Sequence, residues 1–171
     1  MNERRVLILS AIATFGLAFI PSNAIAQQKS LKEQLVGTWT LVSAETIEAN
    51  GNKLPLVKGT PMKGLLVFTA DGRVSFQVIG DHQKLASNDR TKMTAEEMKA
   101  MAESTLSYYA TYTVNEAEKS FTMKIEASTF QNQTAIPAAK RMVELNGDDL
   151  KISNPGRLAG GQTINVWKRA K

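Results

Sequence analysis

The chain has 171 residues, no cysteine, a single histidine and a formal net charge of +5. Without a thiol there can be no disulfide scaffold, thiolate metal site or cysteine nucleophile, and any histidine chemistry falls to His82 alone. The basic excess is dispersed through Lys53, Lys58, Lys63, Arg73, Lys84, Arg90 and Lys92 and is densest at Lys168-Arg169-Lys171, the pattern of a solvated surface and not of a nucleic-acid groove.

The N-terminus reads as a cleaved signal peptide, residues 1–26. Arg4 and Arg5 form a basic start, Val6 to Ile20 is an apolar run too short for a bilayer span, and Ala24-Ile25-Ala26 is a small-x-small cleavage pattern. Cleavage is expected after Ala26, which sends the protein to the periplasm or outside the cell with no stable membrane insertion. Residues 27–171, about 145 in number, suit one domain with a real core.

Gln27 to Gln34 is a polar lead-in that frames a short helical turn. Val36 to Ile47 is the first strand, with Trp39, Leu41 and Ser43 on one face and Thr38, Thr40 and Val42 on the other. Asn50-Gly51 turns the chain, and Lys53 to Lys63 reads as a loop. Gly64 to Thr69 and Arg73 to Ile79 form a hairpin across Ala70-Asp71-Gly72, with Val74, Phe76 and Val78 alternating against Arg73, Ser75 and Gln77.

Thr94-Ala95-Glu96-Glu97 is a capping box and opens a helix expected over Ala95 to Ser107, covering or plugging a barrel end. Strands then resume at Tyr108 to Val114 and Ser120 to Phe130. Further strands follow at Lys140 to Leu145, Leu150 to Ser153 and Gln162 to Lys168. The expected fold is all-β: an antiparallel up-and-down β-barrel of about eight strands, with one helix between the third and fourth. Closure removes the exposed edges that short consecutive strands otherwise leave. A two-sheet sandwich is the alternative.

Gly37-Thr38-Trp39 near the start and Trp167-Lys168-Arg169 at the end resemble the lipocalin arrangement. The chain is similar in more detail to the bacterial and fungal lipocalin-like domain family. The matching segments run from Leu35 to Ser43, Gly64 to Ser75 and Tyr109 to Val114, then through Arg141, Gly147-Asp148-Asp149-Leu150 and Trp167-Lys168-Arg169. The resemblance implies a barrel with a cavity and attaches no common reaction to it. It implies that Gly37, Trp39 and Arg169 form a structural barrel end, with an arginine covering the first-strand tryptophan. Members often carry histidine where this chain has Met123-Lys124, so no imidazole role transfers.

No catalytic constellation is evident. His82 sits in a loop and no serine stands in a nucleophile elbow. Asp148-Asp149 and Glu96-Glu97 lack calcium-loop spacing, and neither metal nor cofactor is expected. The leading expectation is an exported barrel that binds a small, mostly hydrophobic molecule, with Gln77, Tyr112, Glu126 and Arg141 as candidate cavity residues. An isomerase or cyclase using Tyr112, Glu126 or Arg141, and a packed structural barrel, are the alternatives.

Overall fold

The computed structural model describes residues 29–156 and 161–171. The expected signal segment, residues 1–26, lies outside the described residues. Helix α1 (Leu31–Leu35) opens the fold. The Ser30 side chain accepts from the Glu33 amide, and the Glu33 carboxylate accepts from the Ser30 amide, so two free N-terminal donors are satisfied. Two more, those of Leu31 and Lys32, donate to the Glu116 carboxylate at 2.7 and 3.1 Å. The helix is thereby pinned across the turn between two later strands, and its Leu35 is fully buried.

The strands are β1 (Gly37–Ile47), β2 (Lys53–Pro55), β3 (Met62–Phe68), β4 (Arg73–Gly80) and β5 (Thr105–Asn115), followed by β6 (Ser120–Ser128), β7 (Ala139–Asn146), β8 (Asp149–Asn154) and β9 (Gln162–Arg169). Eight of them form a closed antiparallel barrel in the order β1-β3-β4-β5-β6-β7-β8-β9, and β9 returns to pair with β1 from Trp39↔Arg169 to Ile47↔Gln162. β2 is a short addition that sequence alone reads as loop. It arises because β1 pairs with β3 only over Gly37 to Thr40, which leaves the far half of that edge free for Lys53 to Pro55.

Helix α2 (Ala95–Ser104) carries the Thr94–Glu97 capping box. It follows β4, the third long strand, with β2 adding one to the count. It stops three residues before its expected end, because Thr105 and Leu106 pair with Ile79 and Val78 in the sheet. Nor does it plug the barrel: Met98 and Met101 remain exposed, and the helix is held at its two ends, where Glu97 accepts from the Ala86 amide at 2.8 Å and the last turn meets the strap before β3. There the Lys58 amide donates to the Glu103 carbonyl at 2.9 Å. Among the described residues no helix is long and apolar enough to cross a membrane.

Two β-bulges reset the in–out alternation. One lies at Val42 in β1, between Leu41 and Ser43, and the other at Glu126 in β6, opposite Tyr109 and Ala110. A bulge adds one unpaired residue, so every side chain after it changes face. Trp39 and Leu41 point inward before the first bulge. Ala44 and Thr46, not Ser43, do so after it.

Buried side chains from every barrel strand meet in one core, including Trp39, Phe68, Val78, Leu150 and Trp167. Near the end closed by α1, Phe68, Tyr112 and Phe121 pack edge to face at 5.0 to 6.2 Å. The opposite end is the mouth. A strap from Lys53 to Thr60 crosses part of it and seats Val57 in the core. Gly80 makes the strap possible: a Cβ there would lie 1.8 Å from the Lys58 carbonyl oxygen.

Candidate functional site

The closed end is built around the expected tryptophan and arginine. Arg169 stands 4.0 Å over the Trp39 ring, and its Nη2 and Nη1 donate to the carbonyls of Gln34 and Val36 at 2.6 and 3.2 Å. Trp39 Nε1 donates to the Leu35 carbonyl at 2.9 Å. These contacts satisfy the C-terminal carbonyls that a short helix leaves free. Gly37, with φ of +133°, lets the chain turn from α1 into β1 beneath the guanidinium. Every polar atom named here has a partner within the protein.

The interior toward the mouth is different. Phe76 on β4 stacks on Tyr108 of β5, with ring centres 4.7 Å apart and planes at 4°. The edge of Trp167 from β9 meets the same phenylalanine at 5.5 Å. An aromatic row therefore runs across the barrel from β5 to β9. Polar groups stand at both ends of it. At one end Tyr108 and Arg141 of β7 lie near enough for each to oppose the other's burial shift. At the other, Trp167 Nε1 has no hydrogen-bond partner, and neither has Oδ1 of Asn165, two residues earlier on the same face of β9. Trp167 is fully buried and Asn165 is 8% exposed.

Electrostatics follow from this burial. Removal from water pushes the Tyr108 phenol above its ordinary range, and the nearby Arg141 charge opposes the shift. Burial likewise lowers Arg141, with Tyr108 opposing, yet a guanidinium keeps its proton at any ordinary pH. Arg141 also donates from Nη1 to the Lys140 carbonyl at 2.9 Å. Among the described residues no carboxylate comes within 4.0 Å of it, whereas Arg73 and Arg169 both have acidic partners.

Of the four candidate cavity residues, the structure turns Arg141 and Tyr112 inward. Tyr112 serves the closed end: its ring is buried, and its hydroxyl donates to the Thr69 carbonyl at 2.9 Å. Its phenol is raised by burial first and by the Asp71 charge second. Gln77 and Glu126 lie on the outside and do not join them. Gln77 shares the outer face of β4 with Arg73 and Ile79. Glu126 is the bulge residue of β6 and accepts from Arg73 at 3.4 Å. An interior Arg141–Glu126 pair is therefore excluded.

Sequence reading missed Tyr108, Asn165 and Trp167 as a polar set. The spacing places Asn165 and Trp167 on one strand face, but which face of β9 points inward is decided by how the barrel closes. His82 lies in an exposed loop, its Nδ1 3.3 Å from the Gly80 carbonyl oxygen. Among the described residues no group of three His, Cys, Asp or Glu side chains converges as a metal site would require. Surface depressions of about 350 and 540 Å³ flank α1 at the closed end, rimmed by charged residues such as Lys32, Asp71 and Glu116.

A family model described as a lipocalin-like domain matches residues 36–170, and the chain belongs to that family. A search of the curated proteins gives no match.

Proposed function

We propose that this lipocalin-like barrel binds a small, mostly apolar molecule in its interior, through the mouth opposite α1. One observation carries the reading: Asn165 Oδ1 and Trp167 Nε1 are buried without partners beside the aromatic row of Phe76, Tyr108 and Trp167. Each unsatisfied buried polar atom costs about 1–3 kcal/mol. A guest with one donor and one acceptor removes that cost, and its apolar body adds burial to the aromatic row. Barrel mouths are common places for such sites.

The expected signal peptide and cleavage after Ala26 make the protein an exported binder, with residues 27–171 as the working domain in the periplasm or outside the cell. No cofactor or metal belongs to this reading.

A second reading, an isomerase or cyclase, rests on the Arg141–Tyr108 pair, a guanidinium and a phenol suited to stabilising an oxyanion. It is the weaker one. Glu126, one of the three residues expected to serve such a reaction, is on the outer surface, and the Tyr112 hydroxyl is committed to the Thr69 carbonyl.

Native mass spectrometry of protein purified from its own host tests the proposal. The expected spectrum shows a chain beginning at Gln27 with a small molecule retained. A bare chain, together with a melting temperature unmoved by a broad lipid and metabolite screen, would overturn the binding reading.

A further inference from the structure

The outer wall of the barrel is not uniform. On β7, β8 and β9 it is charged: Lys151 pairs with Glu144 at 2.9 Å and Lys168 with Asp149 at 3.3 Å, each across neighbouring strands. On β3, β4 and β5 the outer face carries two uncharged rows. In one, Leu65 lies beside Gln77 and Gln77 beside Ser107; in the next, Val67 lies beside Ser75 and Ser75 beside Tyr109. β1 extends both rows with Thr40 and Thr38. These residues point outward because Leu66, Phe76 and Ala110 alternate with them and are buried. Leu65 is 39% exposed and Tyr109 49%.

Depletion of charge, more than apolar content, distinguishes the core of an interface. Strands about 4.8 Å apart, with same-face residues about 6.8 Å apart, give the two rows about 300 Å² in projection. That is less than half of the roughly 800 Å² each partner buries in an interface of standard size, so the face suits a weak, reversible contact.

The charges at the two ends of β3 select the partner. Lys63 stands at the mouth end and forms no ion pair among the described residues. Asp71 stands in the turn at the other end, exposed and 3.9 Å from Arg73, which Glu126 engages at 3.4 Å. A second copy related by a two-fold axis that crosses the strands between the two rows brings opposite ends together. Leu65 of each copy then meets Val67 of the other, Gln77 meets Ser75, and Lys63 approaches Asp71. Each contact occurs twice, as an isologous interface requires. An axis parallel to the strands would gather both Lys63 side chains at one end and both Asp71 at the other.

We propose that the chain self-associates through this face as an antiparallel dimer. Leu65, Val67, Ser75 and Gln77 form its centre, and Lys63 of one copy faces Asp71 of the other at each end. The two mouths lie at opposite ends of the dimer, so the proposal stands apart from the binding function.

Sedimentation equilibrium of the chain from Gln27 to Lys171 tests it. The expected result is a monomer–dimer equilibrium that tightens as salt is lowered. Leu65→Glu, at an exposed position, should weaken association tenfold or more with the melting temperature unchanged. Lys63→Asp and Asp71→Lys should each weaken it several-fold, and the two in one chain should restore it, because the pair is then reversed and not lost. Restoration is an outcome that a structural effect at either position would not produce. A protein that stays monomeric to near-millimolar concentration at low salt, or a dimer that Leu65→Glu leaves intact, would overturn the proposal. Charge variants that weaken association without restoring it together would overturn the antiparallel arrangement. A monomer that binds phosphatidylcholine vesicles in a Leu65-dependent way would assign the face to a lipid surface and overturn the dimer.

Discussion

The guanidinium of Arg169 lies 4.0 Å from the centre of the Trp39 ring and donates to the carbonyls of Gln34 and Val36, so one side chain of the last strand fastens both the first strand and the helix before it. Stacking contributes about 0.5–2 kcal/mol, and the two carbonyls add about 1 kcal/mol each. Arg169→Ala should therefore destabilise the protein by about 2–4 kcal/mol in urea titrations. Arg169→Lys keeps the charge but loses the fork, so it should recover less than half of that loss. A loss below about 1 kcal/mol for the alanine variant would show that the helix is held by other contacts.

Gly37 sits beneath this arginine with φ of +133°, and a Cβ there would come within 2.9 Å of Arg169 Nη1. Gly37→Ala should cost about 1–3 kcal/mol through backbone strain and displacement of the guanidinium. Only the second part depends on Arg169. In a double-mutant cycle the two substitutions should accordingly fall short of additivity by about 1 kcal/mol. Strict additivity would mean that the methyl group and the guanidinium do not meet.

Asn165→Leu is expected to behave unlike most core substitutions. It replaces a buried, unpartnered acceptor by an apolar side chain of similar size, so the ligand-free protein should be unchanged or more stable by up to about 1 kcal/mol. Ligand affinity should fall. Thermal melts with and without the co-purified molecule check both halves. A large loss of stability without ligand would instead place Asn165 in a satisfied structural network.

The alkaline limb of stability should report on Tyr108. Burial raises its phenol above the ordinary value of about 10, so the unfolded chain ionises first. The contribution of the neutral phenol is fully present below about pH 10 and is lost as pH rises through the folded-state value. Ultraviolet titration should show Tyr108 and Tyr112 ionising late. Tyr108→Phe should remove one late step and flatten the alkaline loss of stability. A late amplitude unchanged in that variant would contradict the assignment.

At the mouth, Gly80→Ala would drive a methyl group into the Lys58 carbonyl, 1.8 Å away. The strap from Lys53 to Thr60 should lift and withdraw Val57 from the core. Limited proteolysis should then cut at Lys53, Lys58 or Lys63 faster than in the native protein. An unchanged digestion pattern would show that β4 shifts instead.

Local patterns fixed much of the fold in advance. Alternation in Arg73 to Ile79 and in Tyr108 to Val114 marked strands, Thr94 with Glu97 marked a helix start, and Gly37, Trp39 and Arg169 marked a closed barrel end. All of these are short-range signals or follow from a family resemblance. The end of α2 was less legible, because sheet pairing of Thr105 and Leu106 overrides their place in a helical pattern. β2 was illegible for a similar reason: nothing in Lys53 to Pro55 announces that an edge of β1 will be free to receive it.

The sequence by itself determined which residues share a strand face, since side chains alternate with a period of two wherever a strand is regular. Only the tertiary structure decided which face is inside. The bulges at Val42 and Glu126 each add a residue that reverses the alternation, and they are defined by pairing with strands distant in the chain. Glu126 itself follows the regular alternation of β6, on the outer face with Thr122 and Lys124 and engaged by Arg73, while Arg141 shares the inner face of β7 with Ala139 and Val143.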